Sequence, residues 1–377
     1  MKTGIFELEH FEVAYTVIQL FDVPANQLVI FTDAATYARF ADLFKADVSR
    51  FQWEILDPTR GKGRFFSQLY KAAKKHNLDI FYLNTISNNH LFYAWVIGLL
   101  RIPRVVITVH DINCFFKSHQ SLPLRQMIHH IGKKALIKRV QEYNVISDTM
   151  VDYLRETTNG SMQIHNLPGS VFNSEQAALT IGDHIHLVVP GSLDKKRRDY
   201  VQVFELLKAA EASQLPLRIT LLGGYSDDYG KSVIQQAAAL KTTYTSIRFY
   251  DEQVVHQDEF DKQLNAAHFI YIPSVIDTAI CFSIPETYGL TKSSGNVFDV
   301  IKHARPFISP QLLRISATLE SSCFRYTSIG HLVQFLQECM QNKNSYETWQ
   351  QQALANSKEY TIAKVRAKNP TLFAVSE

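Results

Sequence analysis

Tyr271-Ile-Pro-Ser274, then Glu286-Thr-Tyr-Gly289, then Asp299-Val-Ile-Lys-His-Ala-Arg-Pro306 is the stretch that decides the fold of this chain. An apolar run ends in Pro-Ser. A turn of small residues, Thr291-Lys-Ser-Ser-Gly295, feeds a helix-period segment, and Pro306 opens another apolar run. This is a buried strand, a turn, a helix and the next strand, as in an α/β domain. Small residues before a helix start leave unpaired N–H groups at the positive end of the helix dipole, which is where a phosphate group binds.

Outward from that stretch, apolar runs and helix-period segments alternate. The second half predicts strands at 185–189, 218–222, 247–250 and 269–272 and helices at 200–212, 232–240 and 260–266. The first half predicts strands at 4–8, 28–32, 51–55, 80–83, 105–109 and 144–146, with helices at 35–46, 65–75, 89–100 and 124–140. Strands alternating with helices imply parallel sheets, because parallel strands need a crossover. Val105-Val-Ile-Thr-Val109 is apolar on both faces, as a central parallel strand should be. Between the halves, Asn166-Leu-Pro-Gly-Ser170 through Gly182 reads as a loop. The expected organisation is an N-terminal domain over 1–170, a C-terminal domain over 180–345 and a helical tail over 346–377.

The chain has 377 residues, 46% of them hydrophobic, enough for two cores. A net charge of +3 does not argue for nucleic acid. The charge is uneven, however: Arg101 to Arg139 holds eight Lys/Arg and one acid, Asp111. Four cysteines without a CxxC pair argue against a disulfide framework or a zinc site and fit a reducing cytosol. The N-terminus lacks a signal-peptide apolar region, and the longest apolar run, Leu91 to Leu100, is too short to span a bilayer. It is expected to be a buried helix packed on a sheet. No GxGxxG follows the first strand and no GxxxxGK[ST] occurs, which disfavours a dinucleotide dehydrogenase and a P-loop NTPase.

Other segments stand where parallel strands end. Gly191-Ser-Leu-Asp-Lys-Lys-Arg-Arg198 places cations at a strand's carboxyl end, where Arg grips a diphosphate bidentately; the plain alternative is a solvated basic turn. His110-Asp111 ends the strand 105–109 and faces the crevice where ligands bind, able to contact a sugar or handle a proton; the plain alternative is a capped strand end. Glu9-His10 is a helix-start signal that can line the same cleft. Glu286 and Asp299 flank the small-residue turn as acceptors for sugar and ribose hydroxyls. Together they predict a nucleotide-sugar pocket.

At these residues the chain resembles the GT-B glycosyltransferases, above all the retaining family-4 group. Gly191 to Arg198 is similar to that group's glycine and basic pair. Phe249-Tyr-Asp251, Asp258-Glu-Phe260 and Ala267 to Ser274 resemble its strand–helix–strand segment ending in Pro-Ser. Glu286-Thr-Tyr-Gly289 and Asp299 to Pro306 resemble its two acids around a donor-binding turn, and Val105 to Asp111 matches in the first half. There are departures. Ser294 stands at the usual spacing of the second acid, and alignment from Pro306 puts Asp299 in that role. Ser192 takes the first basic position, leaving Arg198. Glu9-His10-Phe11 replaces a Gly-rich turn.

The resemblance implies two Rossmann-like domains facing a central cleft, with room for a C-terminal helix to cross back to the N-terminal domain. It implies a retaining, metal-independent transfer from a UDP- or GDP-linked sugar, used as co-substrate with no cofactor, to a glycan or lipid-linked acceptor, as in polysaccharide biosynthesis. Arg198, Lys196 and Arg197 with the turn Thr291, Lys292, Ser293, Ser294 and Gly295 would neutralise the diphosphate beside Gly191 and Ser192. Glu286 would orient the sugar, Asp299 would hold the ribose, and His110 would face the sugar. Glu9, His10 and Asp111 would lie on the acceptor side. A cytoplasmic location is expected, with peripheral membrane contact through the basic 101–139 region, where Phe115, Phe116, Leu122, Met127 and Ile128 interleave with Lys117, Arg125, Lys133, Lys134, Lys138 and Arg139. The alternative of another class is a non-catalytic homologue serving as a binding or scaffold subunit.

Overall fold

The computed structural model describes residues 1–117, 124–174, 177–279 and 283–373. In the first half the elements are β1 (Lys2–Phe6), α1 (Phe11–Phe21), β2 (Gln27–Asp33), α2 (Ala34–Phe44), β3 (Gln52–Leu56), α3 (Lys62–His76), β4 (Ile80–Leu83), α4 (His90–Leu100), β5 (Arg104–Thr108), α5 (Ile112–Phe116), α6 (Leu124–Ile137), β6 (Glu142–Val145), α7 (Val151–Thr157) and β7 (Gln163–Asn166). These seven strands form one parallel sheet in the order β3-β2-β1-β4-β5-β6-β7. Apolar side chains of α3, α4 and α6 fill one face and those of α1 and α2 the other.

The second half runs β8 (Ile185–Pro190), α8 (Tyr200–Ala212), β9 (Leu217–Leu222), α9 (Asp228–Ala238), β10 (Thr245–Arg248), α10 (Gln257–Asn265), β11 (Phe269–Tyr271), β12 (Asp277–Thr278), β13 (Glu286–Thr287), α11 (Asn296–His303), β14 (Phe307–Pro310), β15 (Cys323–Tyr326) and α12 (Ile329–Gln341). Its sheet is parallel in the order β10-β9-β8-β11-β14-β15, and β12 and β13 pair as a small antiparallel ribbon. The tail forms α13 (Lys343–Ser357), α14 (Ile362–Lys368) and α15 (Pro370–Phe373).

The tail crosses back. Val365, Leu372 and Phe373 join the core around α1, and the Arg366 guanidinium donates to the carbonyls of Leu20 at 2.8 Å, Gln19 at 3.0 Å and Asp22 at 2.9 Å. A cation thus satisfies the orphan carbonyls at the C-terminus of α1.

Strand order reverses between β1 and β4 in one sheet and between β8 and β11 in the other, and ligands bind beyond strand ends at such switch points. Four expectations need correction. β7 and β15 escaped the sequence reading because Gln163-Ile-His-Asn166 and Cys323-Phe-Arg-Tyr326 are edge strands with half-polar patterns. The first strand starts two residues earlier than its apolar run suggested, with Leu8 already in the turn. α4 packs on the sheet with one side only; its other side is exposed. Cys323 and Cys339 are buried free thiols, but Cys114 is disulfide-bonded, a pairing that spacing along the chain did not reveal.

Candidate functional site

The N-terminal wall is built at the ends of β1, β4 and β5. Glu7 follows β1 and is fully buried. Its Oε1 accepts the N–H groups of Leu8 at 2.7 Å, His10 at 2.8 Å and also Glu9, and its Oε2 accepts from Thr85 Oγ1 at 2.8 Å and from the Asn84 amide. One carboxylate therefore folds the turn that starts α1 and ties it to the end of β4. Sequence reasoning passed over Glu7; the available signal was an acid closing an apolar strand just before a helix start. Glu9 is exposed and accepts from Ser87 Oγ.

His10 lies against His110, with ring centroids 4.8 Å apart. His110 Nε2 sits 2.9 Å from the Asn84 carbonyl, which can only accept, so Nε2 carries the proton and Nδ1 is left as an acceptor. Burial, then the neighbouring His10, pushes the His110 imidazole down to about 4, with partial relief from its bond to Asn84 and from Glu7 and Asp111. At neutral pH it is an uncharged acceptor, not a proton donor.

The C-terminal wall is built at the ends of β8 and β11 and the start of α11. Gly191 has φ 90°, and a Cβ there would collide with the Arg198 guanidinium, so glycine is required by conformation and by space. Arg198 folds inward to 8% exposure: Nη1 donates to the Ser192 carbonyl at 2.9 Å and Nη2 to Asn296 Oδ1 at 3.1 Å, and its backbone bridges to Ser274. Its buried Nε has no hydrogen-bond partner among the described residues. Asn296, which the sequence reading did not single out, also donates to the Pro190 carbonyl at 2.7 Å and pins α11 to the end of β8. Lys196 is exposed, and Arg197 is paired with Asp194 at 3.2 Å.

At the head of α11, the backbone N–H groups of Ser293, Ser294, Gly295 and Asn296 have no acceptor among the described residues. Thr291 is structural: its hydroxyl takes the Thr287 N–H at 2.8 Å. Asp299 stands in the first turn of α11, half-buried. Burial pushes its carboxyl up to about 7, opposed by Lys302, Arg198 and Asn296 and reinforced by Glu12 on α1 across the cleft. Burial likewise raises Glu12, which sequence reasoning also missed.

Four contacts join the walls beside α5, the fourth made by Glu286. Lys292 forms an ion pair with Asp111, the Ile112 N–H donates to the Thr291 carbonyl at 2.9 Å, and Asn113 Nδ2 donates to the Pro285 carbonyl at 2.9 Å. Glu286 is 1% exposed; its Oε1 accepts the Cys114 N–H at 2.6 Å, and its Oε2 has no hydrogen-bond partner among the described residues. Burial raises its pKa, opposed by Thr291 and the Cys114 amide. Lys133, expected on a solvated basic face, is instead buried; its ammonium donates to the Cys114 carbonyl, and burial lowers it to about 8 against the pull of Glu286. The structure thus gathers His10, His110 and Asp111 opposite Lys292 and Asp299, with Arg198 beneath the turn and Glu286 at the seam. Glu9, Lys196 and Arg197 stand at the solvent margin.

No protein-family model matches the chain, and no curated protein matches it in sequence. Solved structures do. A glycosyltransferase from Rickettsia africae is similar at TM-score 0.66 and 11% identity over 99% of this chain and 97% of that one. UDP-GlcNAc 2-epimerase from Neisseria meningitidis, bound to UDP-GlcNAc, is similar at TM-score 0.56 and 9% identity over 99% of both chains. The pneumococcal O-GlcNAc transferase GtfA, in complex with UDP and GlcNAc, is similar at TM-score 0.52 and 12% identity over 81% of this chain and 59% of that one. The chain has the GT-B fold, two Rossmann-like domains facing a cleft.

Proposed function

We propose that this chain is a glycosyltransferase that moves a sugar from a nucleoside-diphosphate donor to a glycan or lipid-linked acceptor, with retention and without a required metal. One observation carries the reading. The unaccepted N–H groups of Ser293 to Asn296 open at the positive end of α11, with the Arg198 guanidinium fixed to Asn296 beside them. Amides at a helix start with a buried cation are suited to a diphosphate. When the bond from the sugar to the diphosphate breaks, its electron pair stays on the leaving oxygen, and fixed donors aimed there lower the barrier. The acceptor hydroxyl forms the new bond to the sugar carbon and passes its proton to the leaving phosphate oxygen, so charge and atoms balance. His110 offers Nδ1 to a sugar hydroxyl, the bare Oε2 of Glu286 would accept another, and Asp299 would hold the ribose.

Relatives of this fold support the donor class, since the epimerase and the O-GlcNAc transferase were each solved with UDP or a UDP-sugar. The test is a thermal-shift panel of UDP, GDP, ADP and their sugar conjugates, with and without magnesium. Stabilisation by one nucleotide family, unchanged by chelator, is expected; none at millimolar ligand overturns the reading. Anomeric NMR of the product then tests retention.

A second reading is a non-catalytic binding subunit. It is favoured by Glu286 and Lys292, whose side chains join the domains rather than standing free. Donor binding without turnover alone, restored by a partner chain, would select it. Donor conversion with no acceptor present would instead select an epimerase.

A further inference from the structure

We propose that the outer face of α4 and α6 docks on an anionic lipid surface. On α4, Leu91, Phe92, Trp95 and Leu99 are exposed, and on α6 so are Met127, Ile128 and Ile131. Trp95 is 48% and Ile128 53% exposed. The two helices pack closely: a Cβ at Gly132 of α6 would lie 2.7 Å from the Leu91 backbone nitrogen. Their apolar rows therefore form one continuous patch, and patches of that kind on a soluble surface mark an interaction site. Phe92 stacks on Phe66 of α3 at 4.9 Å, and Trp95 lies 6.3 Å from Tyr70, so the patch is a rigid ridge.

Charge selects the occupant. α3, α4 and α6 carry no acidic residue at all. Cations border the patch on both sides: Lys74 stands over the Tyr70 ring at 5.5 Å, and the Arg139 side chain lies against Gly98 of α4, with exposed Arg101, Lys134 and Lys138 nearby in sequence. Aromatic and aliphatic side chains in a cationic border suit a headgroup layer with negative charge. A second copy of this chain would oppose cations to cations, which costs affinity. Among the described residues no helix is long and apolar enough to cross a membrane, so the face lies on the bilayer rather than spanning it. The expected basic surface is thus relocated: Phe115 and Lys133 are buried, Phe116 is partly buried, and Leu122 lies outside the described residues.

Docking through this face does not depend on the reaction. It is tested by flotation of the full chain with vesicles of phosphatidylcholine alone and of phosphatidylcholine with phosphatidylglycerol in equal parts. Binding to the anionic vesicles should be at least about tenfold stronger and should weaken with salt. The double variant Trp95→Glu, Ile128→Glu and the separate double variant Lys134→Gln, Lys138→Gln should each lose most of it. Both change exposed side chains, so unchanged circular dichroism and melting confirm that the fold persists. Absence of binding, equal binding to both vesicles, or variants that bind as the parent does would overturn the proposal. So would a dimer in solution that the Trp95→Glu, Ile128→Glu pair dissociates.

Discussion

Glu286 Oε1 accepts a hydrogen bond from the Cys114 amide at 2.6 Å, although the two residues lie 172 positions apart and on opposite domains. With the Lys292–Asp111 ion pair, it makes the turn before α11 part of the seam between the two sheets. The two domains are thus joined by the same segment that is proposed to grip the donor. Donor binding and domain closure are expected to be coupled, because moving either wall moves that turn.

Removing the carboxylate separates the two roles. Glu286→Ala removes the carboxylate that accepts the buried Cys114 N–H and should lower the unfolding free energy by about 1–3 kcal/mol. Glu286→Gln keeps an acceptor at that position and should retain more than half of the difference. Urea unfolding measures both. Equal losses would show that this bond does not hold the seam.

Arg198→Ala should lower turnover by about 10²–10³-fold, the scale for removing one donor aimed at developing charge. Arg198→Lys should restore little, since an ammonium cannot reach both the Ser192 carbonyl and Asn296 as the planar fork does. Near-normal kcat in the alanine variant would sink the assignment.

Asp299 holds its proton up to about pH 7 in the folded chain, whereas an ordinary aspartate loses it near pH 4. Between those values the folded state binds the extra proton, so the contribution of Asp299 to stability is fully present below about pH 4 and is lost as pH rises through about 7. Asp299→Asn, neutral throughout, should gain on the parent as pH rises and exceed it above pH 7 by about 1–2 kcal/mol, after discounting for solvent screening. Urea unfolding of both proteins across that range checks it; a difference that does not vary with pH counts against the raised carboxyl.

Arg366→Ala removes three hydrogen bonds from a cation to the last carbonyls of α1. A loss of about 1.5–3 kcal/mol is expected from breaking charge-assisted bonds that are partly buried. Hydrogen exchange should quicken at the C-terminal end of α1 and in the tail together. Faster exchange in the tail alone would mean that the strap does not brace α1.

Local pattern determined the α/β class, because apolar runs such as Val105 to Val109 and Ile185 to Val189 need no tertiary information to be read as buried parallel strands. It also located the turn before α11 and the basic run after β8, since small residues and cations at strand ends are local features. What it could not determine was which side chains meet. Arg198 looked like a free cation and is folded against Gly191 and Asn296; Lys133 looked solvated and is buried beside Cys114; Leu91 to Leu100 looked wholly buried and exposes half its circumference. Glu7 carried no motif, yet it shapes the N-terminal wall through five acceptor contacts drawn from two loops. Only the tertiary structure decides such matters, because burial, charge pairing and the approach of two domains depend on residues far apart in the chain, whereas helix and strand periodicity depends on near neighbours.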